Sequence, residues 1–210
     1  MDRYQQTWNT WNKLAKLYED KFMDIDLYNQ TYDMFCQYIT QTNSGILEIG
    51  CGPGNITRYL LGKRPDFDIT AIDVAPNMVE LASRNNPTVN CMVMDCRNID
   101  TIANNFNGIV CGFCLPYLNK QDGSKLIKDC SNLLNKGGYL YFSTIEGDYS
   151  ASGYQTASTG DQTFVYYYDE TFLRKVLIEN RFDLLQLIKI NYPKIAGKSE
   201  VHLVLIARKK

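Results

Sequence analysis

Three glycines at alternate positions, Gly50, Gly52 and Gly54, follow an acid, Glu48, that stands inside a short apolar run from Gly45 to Ile49. Glycine allows a sharp backbone turn and lets a ligand lie against the main chain. A helical stretch from Asn55 to Leu61, ended by Gly62, comes next. The start of such a helix offers N–H donors to an anionic group. Strand, glycine turn and helix open a nucleotide-type binding fold. A dinucleotide fingerprint fails here, because its third small residue would fall on Asn55. No Gly-Lys-Ser/Thr follows the turn, so it is not a Walker phosphate loop.

Two more acids stand where such a fold places ligand contacts. Asp73 ends the run from Phe67, 23 residues beyond Gly50, close to the spacing of an acid that meets a ribose. A carboxylate there can accept from both ribose hydroxyls. Asp95 follows a run from Val89 to Met94, at the carboxyl end of a strand and therefore on the ligand rim of an open α/β sheet.

The pattern Glu-x-Gly-x-Gly-x-Gly resembles motif I of the class I S-adenosylmethionine-dependent methyltransferases of the small-molecule type. The two later acids and Leu-Leu-Asn-Lys-Gly-Gly-Tyr-Leu, residues 133–140, extend the likeness over most of the chain. The resemblance implies an α/β fold, a Rossmann-like three-layer sandwich whose seven-stranded, mostly parallel sheet has an antiparallel last strand. It implies S-adenosyl-L-methionine as methyl donor and S-adenosyl-L-homocysteine as product. Glu48, Gly50, Cys51, Gly52 and Gly54 then hold the methionine end. Asp73 then meets the ribose and Asp95 the adenine amino group, Met78 is a candidate beside the adenine ring, and Val74 and Cys96 are further cofactor contacts. Phe113 lies in motif IV, beneath the sulfur. Many small-molecule members carry a histidine near position 116 or 117, where this chain has Pro116 and Tyr117. Tyr117, Glu146 and Asp148 are the candidates for a base. Tyr18, Tyr117, Tyr149 and Tyr166 are the candidates for acceptor contact.

The elements that must position these residues follow in order. Trp8, Trp11, Ala15, Tyr18 and Phe22 recur at helical spacing and predict one helix over 7–22. A second helix is expected from about Leu27 to Thr40, with Asp26 as its cap. Pro76 suits the first turn of a helix. A fourth strand spans Gly108 to Cys111. A helix over 120–135 is expected to end on Lys136-Gly137-Gly138, ahead of a strand from Tyr139 to Ile145. Asp169 should cap a last helix, and strands Phe182 to Ile190 and Val201 to Ala207 close the sheet. The whole, 1–210, is expected as one domain, with a helical lid over about 1–42 and a cover segment over about 146–168. His202, with no evident partner nearby in sequence, is expected as a packed residue.

The chain of 210 residues is long enough for one sizeable core. Its net charge of -1 and lack of a basic run argue against phosphate-driven nucleic-acid binding. No 18-residue apolar stretch occurs, so no membrane association is expected. Seven cysteines, mostly in apolar segments, fit reduced thiols in the cytoplasm. Cys111 and Cys114 form one Cys-x-x-Cys, but no second short-spaced pair completes a zinc site, and Asn107 stands where a radical iron–sulfur enzyme needs a cysteine. No metal is expected. The expected partner is a small-molecule acceptor, and the chain is expected as a monomer or homodimer. Two other readings stay open: a non-catalytic S-adenosylmethionine-binding partner or sensor, and a nicotinamide-dependent oxidoreductase, which Asn55 disfavours.

Overall fold

The computed structural model describes residues 2–193 and 199–210. Three helices lead the chain: α1 (Arg3–Lys13), α2 (Ala15–Phe22) and α3 (Asn29–Tyr38). Strands and helices then alternate through β1 (Gly45–Ile49), α4 (Asn55–Lys63), β2 (Asp68–Asp73), α5 (Pro76–Asn85), β3 (Asn90–Val93) and β4 (Phe106–Cys111). Next come α6 (Lys120–Leu133), β5 (Leu134–Ile145), the hairpin β6 (Gly153–Thr156) and β7 (Gln162–Val165), α7 (Glu170–Glu179), β8 (Phe182–Pro193) and β9 (Ser199–Lys209). The main sheet runs β3-β2-β1-β4-β5-β9-β8. Every neighbouring pair from β3 to β5 is parallel, and β9 enters antiparallel between β5 and β8. The expected mostly parallel sheet with an antiparallel last strand is therefore present.

Successive strand residues point to opposite faces, and the core divides accordingly. Leu47, Ile49, Ile109, Phe142, Leu203 and Leu205 pack with α6 and α7. Ile46, Val110, Tyr141, Val204 and Ile206 pack with Phe35 of α3 and with Ile56 and Leu60 of α4. Each fully buried Leu or Ile contributes about 1.5–3 kcal/mol to that assembly. Because Glu48 shares a face with Ile46, its carboxylate goes to the α4 side.

Four boundaries differ from the sequence expectation. The first helix breaks at Leu14 (φ -91°, ψ 8°) into α1 and α2. The break lets α1 reach both α5 and β7 while α2 packs on α5. Asp26 does not cap α3 with its carboxylate; it offers its carbonyl to Asn29, and Tyr28 occupies the cap position. Helix α6 ends before Gly137-Gly138, which lie inside β5 at a register irregularity against β4. A Cβ on Gly138 would press on two backbone carbonyls, of Asn107 and Asn135, at 3.0 Å each. The pair serves a close strand crossing, and Leu134 already begins the strand. Helix α4 likewise runs through Gly62 to Lys63.

Helix α1 spans the carboxyl ends of the strands. Thr7 and Thr10 bond to the backbone of Phe164 and Gln162 in β7. On its other side Asn12 receives the Asn77 backbone N–H at 2.8 Å and accepts from the Asn77 side chain at 2.9 Å. Among the described residues, no helix is long and apolar enough to cross a membrane.

Candidate active site

Two cavities open where β1, β2, β3 and β4 end. They share Trp11, Tyr18, Gly50, Gly52, Gly112, Phe113 and Tyr117. One, the cleft, continues to Asp73, Val74, Met78, Asp95, Cys96 and Cys114. The other, the chamber, continues to Tyr28, Tyr32, Tyr192, Glu200 and His202, with Thr163 and Val165 of β7 on its wall.

The glycine turn is locked from beneath. The N–H groups of Gly50 and Cys51 both donate to Ile72 O, at 2.8 and 2.9 Å. Gly54 takes a left-handed φ of 84°, and a Cβ there would sit 2.3 Å from Asn86 Nδ2. Any other residue would strain the turn and displace Asn86, which itself donates to Gly54 O. Gly52 N–H donates to Asp73 Oδ2, and Ala75 N–H donates to Oδ1, each at 2.9 Å. Burial raises the Asp73 pKa, and these N–H bonds hold it back. Each carboxylate oxygen keeps a further lone pair for a hydroxyl.

Glu48 is fully buried and accepts from Thr57 Oγ1 in α4. Burial pushes its pKa up to about 8. Its Oε1 has no hydrogen-bond partner. A buried carboxylate with an unmet oxygen behind a bare-backbone turn has the donor set for a ligand ammonium, which would favour its ionised form. Glu48 and Gly54 line neither cavity; they build the turn from behind. Cys51 lines the chamber rather than the cleft.

Asp95 lines the cleft and is gripped by its neighbour. Arg97 Nη2 donates to Oδ2 at 2.6 Å, and Arg97 N–H donates to Oδ1 at 2.9 Å. The guanidinium lies over the rings of Tyr4 and Trp8, 4.5 and 4.9 Å from their centres. Arg97 thus ties Asp95 to helix α1. Cys96 and Cys114 stand 3.5 Å apart, sulfur to sulfur, as free thiols. Their mutual hydrogen bonding and burial raise the Cys96 pKa well above the usual value, so it is a poor nucleophile. Among the described residues no group of three or more His, Cys, Asp or Glu is placed to hold a metal ion.

The base and acceptor candidates separate. Tyr18 and Tyr117 line both cavities, each edge-on to Trp11 at 5.5 Å. Burial raises the Tyr117 pKa, which keeps its hydroxyl protonated, and among the described residues no bonded base stands beside it to take the proton. Tyr149 and Tyr166 stand on neither wall. They stack on one another, and Tyr166 N–H donates to Pro116 O. These tyrosines hold the β6–β7 hairpin to the loop after β4. Glu146 pairs with Lys189 at 2.6 Å, and Asp148 caps the short turn that follows it. Neither reaches the cavities.

One wall was missed from the sequence. His202 bonds to Tyr28 through Nδ1 at 2.7 Å and to Glu200 through Nε2 at 3.1 Å. The available signal was Glu200-x-His202, since alternate residues of a strand share a face.

A parallel sheet of this strand order, an antiparallel insertion beside β5, and a glycine turn clamped by the acid of the next strand define a Rossmann-like methyltransferase fold. Residues 46–138 match a family model described as a methyltransferase domain. Over that segment, and in its fold, the chain is similar to the class I S-adenosylmethionine-dependent methyltransferases. It is 32% identical over 141 residues to a malonyl-[acyl-carrier protein] O-methyltransferase of Acetivibrio thermocellus, covering 65% of this chain and 44% of that one. It is 31% identical over 120 residues to a ubiquinone biosynthesis O-methyltransferase of Coxiella burnetii, covering 55% and 49%. The chain thus spans about half the length, or less, of these curated relatives. The Burkholderia thailandensis 1,6-didemethyltoxoflavin-N1-methyltransferase, solved with its substrate and S-adenosylhomocysteine, superposes with a TM-score of 0.74 at 19% identity, covering 98% of this chain and 88% of that one.

Proposed function

We propose that this protein transfers a methyl group from S-adenosylmethionine to a small-molecule acceptor. The observation that carries this reading is the clamp between Asp73 and the glycine turn, set between a cleft and a separate aromatic chamber that meet at Gly50, Gly52 and Phe113. The Asp73 carboxylate receives the ribose hydroxyls, Asp95 the adenine amino group, and Met78 and Val74 flank the ring and sugar. Glu48 supplies negative charge behind the turn for the methionine ammonium. When bound, S-adenosylmethionine supplies a methyl group on an activated sulfonium. The chain's work is then alignment and exclusion of water. Helices α1 and α2 act as the lid, through Trp11 and Tyr18, and the segment over 146–168 as a cover whose β7 edge closes the chamber.

Neighbours named as methyltransferases of small molecules support the acceptor class. The balanced net charge of -1 supports a target other than nucleic acid. The free cysteines support a cytoplasmic setting. Calorimetric titration with S-adenosylhomocysteine, followed by an acceptor screen, tests the reading.

A further inference from the structure

We infer that Tyr28, His202 and Glu200 form a proton relay in the chamber, and that the acceptor is an aromatic molecule bearing a hydroxyl; this rests on the methyltransferase reading above. Tyr28 stands at the start of α3, whereas Glu200 and His202 lie on one face of β9. All three line the chamber. The imidazole is held on every side. Tyr192 of β8 stacks on it at 4.8 Å, Tyr28 lies parallel at 6.1 Å, and Phe113 meets it edge-on at 4.7 Å.

The hydrogen-bond directions follow from the chemistry of the ends. An ionised carboxylate only accepts, so His202 Nε2 carries the hydrogen toward Glu200. Nδ1 is then bare and accepts from the Tyr28 hydroxyl. The Tyr28 oxygen keeps lone pairs for a donor in the chamber. This is the arrangement of a base whose imidazole is oriented by a carboxylate.

Phe113 fixes where the relay acts. It holds a left-handed φ of 54°, rare for a bulky residue, with its N–H bonded to Ser143 Oγ at 2.9 Å. Its ring touches Tyr28 and His202 and also lines the cleft. The relay therefore stands at the junction where a donor in the cleft meets an acceptor in the chamber. The chamber's Trp11, Phe22, Tyr28, Tyr32 and Tyr192 rings suit a flat acceptor.

In the step, the acceptor oxygen forms a bond to the methyl carbon as the sulfur–methyl bond breaks. The electron pair of that bond stays on sulfur, which becomes a neutral thioether. The acceptor proton passes to Tyr28 Oη, and the Tyr28 proton passes to His202 Nδ1. Glu200 is a positioning residue: it orients the ring and faces the imidazolium. The proton leaves to solvent afterwards.

The chain has one histidine, so ring-nitrogen NMR of the intact protein reports His202 alone. With the imidazole neutral, the expected signal is the Nε2–H tautomer, shifted toward Nδ1–H in Glu200→Gln. An Nδ1–H parent, or an unchanged tautomer in Glu200→Gln, overturns the relay. For turnover the probes are phenol and 4-nitrophenol, the second largely ionised near neutral pH. Tyr28→Phe and His202→Gln are expected to slow phenol methylation about 100-fold or more and 4-nitrophenol methylation far less. Equal loss on both probes overturns the relay. A parent that binds S-adenosylhomocysteine yet methylates neither probe overturns the hydroxyl-acceptor assignment. A parent that fails to bind it overturns the methyltransferase reading instead.

Discussion

The backbone N–H of Gly52 donates to Asp73 Oδ2 at 2.9 Å, so the turn after β1 and the acid ending β2 move as one unit. The acid organises the turn and, in the proposed function, also presents lone pairs to a ribose, which makes two duties. The duties predict separable losses. Asp73→Ala should weaken S-adenosylhomocysteine binding about 10- to 100-fold, the size of lost charge-assisted hydrogen bonds. It should also lower stability by about 1–3 kcal/mol, because two N–H groups lose their acceptor. Asp73→Asn keeps one oxygen for the turn and should recover part of the stability. Calorimetry and urea unfolding read the two effects.

Glu48 should make stability fall with rising pH. Its carboxyl titrates near 4.5 in an unfolded chain and is raised to about 8 in the fold. Between those values the folded protein binds more protons at this site than the unfolded chain, so raising the pH favours unfolding. Below 4.5 the site is neutral in both states and costs nothing. Glu48→Gln removes the titration. Relative to the parent it should gain up to about 1.4 kcal/mol for each pH unit across that window. Urea unfolding at several pH values checks the slope, and a pH-independent difference would contradict the assignment.

Arg97 should hold helix α1 in place. Its guanidinium joins Asp95 to the Tyr4 and Trp8 rings of α1. Arg97→Ala removes stacking worth about 0.5–2 kcal/mol. Amide hydrogen exchange across residues 3–13 should accelerate about 2- to 30-fold, with β1 and β4 unaffected. The bonds of Thr7, Thr10 and Asn12 keep α1 from leaving altogether.

The legible parts of the protein were those encoded locally. The glycine turn, Asp73 and Asp95 each sit within a few residues of a strand end, and a parallel sheet brings strand ends together without further information. Of the residues expected around the cofactor, eight stand on the cleft wall, from Gly50 to Phe113. The chamber was less legible, because its partners are distant in sequence: Tyr28 and His202 are 174 residues apart. Tyr149 and Tyr166 misled for the matching reason. A tyrosine-rich hairpin reads alike whether its rings face a ligand or, as here, each other. Gly137-Gly138 followed a helix in sequence and so read as its cap, whereas the demand on it comes from the carbonyls of Asn107 and Asn135.

The central claim is that the cleft beside the Gly52–Asp73 clamp takes S-adenosylmethionine. The most direct measurement is calorimetric titration of the intact protein with S-adenosylhomocysteine and, separately, with NAD. The expected result is one site per chain for S-adenosylhomocysteine, weakened in Asp73→Ala, and no heat from NAD. Binding of NAD with no response to S-adenosylhomocysteine would contradict it.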